Sequence, residues 1–173
     1  EADEIYIIGN SRYLWSRKQK EEQKSDLKCN FSHLKKYKDL DYISIWIYKS
    51  AKYIKNFNAK VGLVSTNSVC QGEQVPLLWP LIFDLKIKIH FAYTSFKWQN
   101  NAKGNAGVSV IIIGLANENK LNSILFDELS KKEVDNINAY LIPSKNNIFI
   151  EQKTTSISGL PKINHGNMPA DGG

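Results

Sequence analysis

The apolar residues of this chain fall into short runs separated by polar loops, and the spacing inside each run assigns an element. Ile5-Tyr6-Ile7-Ile8 is a β-branched apolar run ending at Gly9-Asn10, the pattern of a buried strand that feeds a loop. From Asp41 to Phe57 the spacing becomes helical, through Tyr42, Ile45, Trp46, Tyr48, Tyr53 and Ile54, with Asp39 or Asp41 placed to cap the start. Val61 to Ser65 is a second buried strand, closed by Thr66-Asn67-Ser68. Glu73 to Leu85 reads as a helix with Pro76 early and Pro80 in the middle, where the missing N–H predicts a kink or a break. Ile87 to Tyr93 alternates like a strand, and Val108 to Gly114 is a continuous β-branched run, hence a fully buried strand. Between these two lies a polar loop, Phe96 to Asn105, with two aromatics, Phe96 and Trp98. Ser130 to Ile137 carries a helical pattern, and Ile148 to Glu151 reads as a short strand.

Strand–helix–strand alternation argues for an α/β sheet with parallel strands. The two strands flanking the Phe96 loop lack a helix-length connection, so they form an antiparallel hairpin. Residues 11–38 are polar and basic with few core anchors, an insertion carrying one or two short helices. Residues 1–116 read as the sheet-bearing unit. Residues 117–173, where the pattern fades into Ser, Thr, Asn, Gly and Pro, read as a connector.

Composition narrows the class. The 173 residues fit one domain, and 42% hydrophobic with 23% charged residues is ordinary for a globular chain. Collagen, a coiled coil and a fully disordered chain are excluded. The longest apolar runs, such as 108–115, fall well short of the roughly 20 residues of a spanning helix, so no membrane partner is expected. Cys29 and Cys70 make no disulfide framework, and with His33, His90 and His165 they make no zinc pattern, so no metal is expected. With no signal peptide, the expected compartment is the cytoplasm. The start at Glu1 and the lone Met168 suggest a piece of something longer.

Lys and Arg number 23 against 17 Asp and Glu, a formal charge of +6, and the excess is uneven. Arg12, Arg17, Lys18, Lys20, Lys24, Lys28, Lys35, Lys36 and Lys38 crowd the first forty residues, diluted by Glu21, Glu22 and Asp26. Such a stretch is either a phosphate-facing surface or a solvated lysine-rich face, and charge alone leaves both open.

In an open α/β sheet, ligands sit beyond the carboxyl ends of the strands. The loops there, Gly9 to Tyr13 and Thr66 to Ser68, with the Phe96 loop in reach, offer amides, aromatics and cations. They hold no carboxylate pair and no Cys–His pair, which is poor equipment for general acid–base hydrolysis. They suit a flat heterocycle, stacked on its faces and hydrogen-bonded at its edge. Blander roles stay open: Asn10 as a turn residue, Asn67 as a helix cap, and Tyr13, Phe96 and Trp98 as packing.

These same strings carry a family resemblance. "IYIIGNSRY" (Ile5 to Tyr13) resembles the strand and loop of amino-methylating DNA methyltransferases, whose loop reads Asn-Pro-Pro-Tyr or Asn-Pro-Pro-Phe. "LDYISIWIYKSAKYI" resembles the helix that follows. "VGLVSTNSVCQGEQVPLLWPLIF" and "IHFAYTSFKWQNNAKGNAGVSVIIIGL" are similar to the large fused restriction–modification enzymes of the MmeI-like type. The closing "HGNMPADGG" resembles the segment leading towards their target recognition.

The resemblance implies the C-terminal half of a class I, Rossmann-like methyltransferase sheet ending in an antiparallel hairpin. It implies transfer of a methyl group from S-adenosylmethionine to the exocyclic amine of a flipped adenine. By position, Asn10 matches the amide that hydrogen-bonds the target amine, and the Ser11 carbonyl matches a second acceptor. Tyr13 matches the aromatic stacking on the base, Phe96 matches the ring on its opposite face, and Asp41 matches the start of the helix on the cofactor side. Arg17, Lys18, Lys20, Lys24, Lys97 and Lys103 are the cations expected along the DNA backbone. The implied partners are double-stranded DNA and the remainder of a parent polypeptide: a cofactor-binding half and a recognition domain, with or without an endonuclease domain.

Two departures stand out. Ser11 and Arg12 replace the two prolines, which removes the rigidity of a fixed φ and brings a cation close to the reaction centre. A glycine-rich cofactor loop does not occur in this chain, so the isolated chain is expected to be inactive and to bind S-adenosylmethionine weakly or not at all. The competing readings are a catalytically decayed remnant that still binds nucleic acid, and an interaction module within a larger assembly.

Overall fold

The computed structural model describes residues 4–12, 14–97, 109–118, 122–153, 155 and 157–159. Strand β1 (Ile5–Asn10) is followed by the basic insertion, a 3-10 turn at Ser16–Lys18, helix α1 (Glu21–Phe31) and a second 3-10 turn at Tyr37–Asp39. Helix α2 (Ile43–Ile54), strand β2 (Ala59–Thr66), a 3-10 turn at Asn67–Cys70 and helix α3 (Gln74–Phe83) come next. Strands β3 (Ile87–Lys97), β4 (Ser109–Asn117), β5 (Ser123–Phe126) and β6 (Lys131–Val134) complete the order.

The strands form one six-stranded sheet in the order β1-β2-β4-β3-β5-β6. β1 and β2 are parallel, joined by the α2 crossover. β4 folds back from β3 and inserts antiparallel between β2 and β3, as the absence of a crossover between those strands requires. The α/β class, the parallel start and the closing antiparallel pair all follow the expectation from sequence.

The core lies between one sheet face and the helices. α2 buries Ile43, Ile47, Ala51 and Ile54, one stripe at helical spacing, against Val61 and Leu63 of β2 and Ile111, Ile113 and Leu115 of β4. The basic insertion has two anchors of its own: Leu27 and Phe31 of α1 are fully buried, and the Phe31 ring packs 5.1 Å from that of Tyr48. On the opposite sheet face Gly62 pairs with Gly114, and the Phe91 ring lies over both. A Cβ on Gly114 would overlap that ring, so this position needs a bare backbone for close approach.

Several expectations change. α3 runs through Pro80 without breaking, because Leu78, Trp79 and Ile82 around it are fully buried and the Trp79 indole N–H donates to the Val69 carbonyl at 2.7 Å. That anchorage outweighs one missing backbone hydrogen bond. Ser130 to Ile137 holds β6 rather than a helix, since its backbone pairs with β5, itself parallel to β3. Ile148 to Glu151 forms no strand. The sheet therefore continues past residue 116, and Ile137, Ala139 and Leu141 of the expected connector are buried in the core. Among the described residues no helix is long and apolar enough to cross a membrane.

Candidate functional site

β1, β2, β3 and β5 all point their carboxyl ends to the same edge of the sheet. Asn10 ends β1 at this edge with its side chain exposed, and Ser11 is half-buried behind it. Gly9 permits this arrangement: a Cβ there would sit 3.2 Å from the Leu63 side chain and 3.4 Å from the Ser11 hydroxyl.

The loop after Asn10 is short and fixed at both ends. Its start belongs to the β1–β2 ladder, through the Asn10–Val64 pairing. Its far end, Leu14, donates its N–H to Asp41 Oδ1 at 2.8 Å. The Leu14 carbonyl accepts from the Gln19 side-chain amide at 2.9 Å and from the Tyr42 N–H at 3.1 Å. Only Ser11, Arg12 and Tyr13 separate these anchors.

Asp41 is the hub of the tie. Its carboxylate is buried at 1% exposure and also accepts from the N–H of Ile43, the first residue of α2, at 3.3 Å and from the Ser68 hydroxyl at 3.5 Å. The Asp41 N–H donates to Gln74 Oε1 at 2.9 Å, and Gln74 Nε2 donates to the Asp39 carbonyl at 2.6 Å. Gln19 also reaches the Leu40 carbonyl at 3.0 Å. Two buried glutamines thus clamp residues 39–41, which in turn hold the loop. Sequence reading singled out neither Gln19 nor Gln74; a long polar side chain in a stretch with few core anchors was the available signal. Asp41 is the residue expected on the cofactor side; in the structure both its oxygens accept from the chain's own donors, Leu14, Ile43 and Ser68.

Across the edge, the Thr66 and Ser68 hydroxyls lie 2.7 Å apart, and Asn67 Nδ2 donates to the Ser95 hydroxyl at 3.3 Å. Asn67 thus bridges to β3, rather than capping α3. Phe96 packs edge-on to Tyr93, ring centres 6.2 Å apart, and Tyr93 lies face to face with Phe126 at 4.9 Å. Tyr93, Ser95, Phe96 and Ile112 line an open depression of about 930 Å³. The register runs Asn10–Val64–Ile112–Tyr93, so Asn10 and Tyr93 stand three strand spacings apart. That is about 14 Å. Asn10 and Phe96 thus share one edge without touching, on either side of β2 and β4.

The structure places Arg17, Lys18, Lys20 and Lys24 on the exposed surface of the insertion, and Lys97 exposed at the end of β3. Tyr13, Trp98 and Lys103 lie outside the described residues. Burial pushes the Cys70 thiol far up, which makes it a packing residue and not a nucleophile. No group of His, Cys, Asp or Glu able to hold a metal occurs among the described residues. Among the described residues this edge gathers the Asn10 amide, the Thr66 and Ser68 hydroxyls and the Tyr93–Phe96 rings.

A part-parallel sheet with helices on one face, an inserted antiparallel strand and a polar, aromatic carboxyl edge defines a Rossmann-like fold of the methyltransferase type. A family model described as "MmeI, DNA-methyltransferase domain" matches residues 1–127, and the chain belongs to that family. It is 51% identical over 173 residues to "DNA methyltransferase A" of Bacillus subtilis (strain 168), covering 99% of this chain and 20% of that relative. Its fold matches the Type IIL restriction-modification enzyme MmeI, solved in complex with DNA, with a TM-score of 0.85 and 39% identity, over 91% of this chain and 22% of that one. The chain spans about a fifth of the length of these relatives.

Proposed function

We propose that this chain is the part of a DNA methyltransferase that receives the target base, working in the cytoplasm within a longer polypeptide of a restriction–modification enzyme. The observation that carries the reading is Asn10, exposed at the end of β1 on a three-residue loop held at both ends, in a chain of the MmeI methyltransferase-domain family. The target is the exocyclic amine of a flipped adenine. S-adenosylmethionine, held by the rest of the polypeptide, supplies the methyl group. The described residues offer it no glycine-rich loop and no free Asp41 oxygen, so this chain does not make the cofactor site alone. β1 fits this division: it pairs only with β2 among the described residues, and Ile8 is 86% exposed. The cofactor-binding half is the partner expected on that edge.

The side chains act on the base. The amine of adenine is a poor nucleophile because its lone pair is delocalised into the ring. The Asn10 amide oxygen and the Ser11 carbonyl, accepting from its two N–H bonds, favour a tetrahedral nitrogen whose lone pair is free. Tyr13 and Phe96 stack on the two faces of the base. Each such contact offsets about 1–3 kcal/mol of lost base stacking. Arg17, Lys18, Lys20, Lys24, Lys97 and Lys103 face the phosphate backbone.

The experiment is methyl transfer from labelled S-adenosylmethionine to duplex DNA by the full polypeptide, with nucleoside analysis of the product. N6-methyladenine supports the reading, and N4-methylcytosine would replace the target base. Ser11 and Arg12 in place of two prolines favour the second reading, a decayed remnant that binds DNA. DNA binding with neither methyl transfer nor cofactor binding would establish it.

A further inference from the structure

The basic insertion contains a cleft that the base-binding loops do not use. It has a volume of about 750 Å³ and is walled by three elements: the Ser16–Lys18 turn, α1 and the Tyr37–Asp39 turn. Arg17, Lys24, Lys28 and Lys38 converge on it, one or two from each wall. The opposing carboxylates are Glu21 and Asp39. Glu21 is taken by Lys24 at 2.8 Å, whereas Arg17, Lys28 and Lys38 have no carboxylate within ion-pair distance among the described residues. Three such cations around one concavity repel each other until an anion enters, and side chains from three directions match the oxygens of a phosphate.

The placement selects the anion. Gln19 lines the cleft and is the same residue that holds the Leu14 carbonyl at the end of the Asn10 loop. A group in the cleft therefore sits at a fixed offset from the base-binding edge. A flipped nucleotide remains joined to its strand, so its neighbouring phosphates must pass beside that edge.

We propose that this cleft holds the phosphodiester backbone next to the target base, with Arg17, Lys28 and Lys38 as its contacts. The proposal rests on the DNA-binding reading above and adds Lys28 and Lys38 to it. Lys18 and Lys20 do not line the cleft, so the decisive charges lie further along α1 and in the second turn.

The test is duplex binding by the full polypeptide, followed by fluorescence anisotropy across a salt series without methyl donor. The cleft variant Lys28→Gln/Lys38→Gln is compared with Lys49→Gln/Lys55→Gln, which removes the same charge from α2 and its C-terminal cap. Losing two phosphate contacts flattens the slope of log affinity against log salt by about 1.8, and weakens binding about 10- to 100-fold at 0.1 M salt. The α2 variant keeps the parent slope. An unchanged slope in the cleft variant, or an equal change in both, overturns the proposal. Tripolyphosphate is titrated separately: if it binds in the cleft while the DNA slope stays unchanged, the site takes free phosphate chains instead. Because no methyl donor is present, a protein that methylates nothing yet shows the flattened slope loses the methylation reading and keeps the cleft. One that methylates normally with an unaltered slope loses the cleft alone.

Discussion

Replacing Asp41 by alanine tests the idea that the Asn10 loop is held from behind. The Asp41 carboxylate accepts the Leu14 N–H at 2.8 Å and the Ile43 N–H at 3.3 Å, at a site with 1% exposure. A hydrogen bond to a charged group contributes about 1.5–3 kcal/mol, and alanine also leaves the donors without a protein acceptor. If the Leu14 bond alone holds the loop in its working geometry, its loss lowers the competent population about 10- to 100-fold. Asp41→Asn keeps an acceptor in place with a neutral bond of about 0.5–1.5 kcal/mol, so its loss is about tenfold or less. The assay is steady-state methyl transfer by the full polypeptide, varying DNA and S-adenosylmethionine separately, with thermal unfolding to confirm that each variant is folded. The expected signature is a fall in kcat with little change in KM for the cofactor. A kcat within about threefold of the parent in Asp41→Ala would refute the positioning role. A raised cofactor KM with kcat preserved would instead make Asp41 the cofactor contact that the family resemblance implied.

Three further outcomes follow from the packing. Gly114→Ala drives a methyl group into the Phe91 ring and should destabilise the fold by about 1–3 kcal/mol; Phe91→Leu in the same chain should recover part of it, and additive losses in a denaturation cycle would rule the clash out. Burial, reinforced by Lys88 and Lys60, lowers the His90 pKa, and its buried Nδ1 has no hydrogen-bond partner among the described residues. The neutral form is therefore the folded one: stability is full above the unfolded value of about 6.5 and falls as pH drops below it. His90→Gln should flatten the thermal midpoint between pH 7.5 and 5.5, as read by calorimetry. Cys29 is exposed and Cys70 is buried with a raised pKa, so a disulfide reagent should label one thiol quickly and the second only on unfolding. Two fast thiols in the folded protein would contradict the packing around the Asn67–Cys70 turn.

Much of the candidate site is legible in the sequence because it lies where strands end. Asn10 follows an unmistakable apolar run, and the rule that ligands sit at carboxyl ends points to the loop without coordinates. Phe96 stands out in the same way, although it sits inside β3 rather than in the loop that follows. The Asp41 tie was not legible. Its partners Leu14 and Ser68 are each 27 residues away, and Gln74 is 33 residues away, so no local spacing encodes them. Tyr93 on Phe126 belongs to the same class, since the two rings meet only because β5 pairs with β3.

The elements that carry an apolar pattern of their own follow from local sequence, although β1, expected as a buried strand, leaves Tyr6 and Ile8 exposed on the edge of the sheet. β1, α2, β2, β3 and β4 each carry enough apolar side chains in one pattern to choose strand or helix locally, and the missing crossover between β3 and β4 dictates their antiparallel pairing. The short or polar elements depend instead on long-range pairing and packing. β6 has a helix-like pattern but becomes a strand, because an open edge on β5 satisfies its backbone. α3 survives Pro80 because buried Trp79 and its bond to Val69 hold it in place. Asp41, a helix cap by sequence, became the anchor of the Asn10 loop once the fold brought Leu14 and Ser68 to its two oxygens. Buried polar groups take whichever partner the fold delivers, and that delivery is a long-range property.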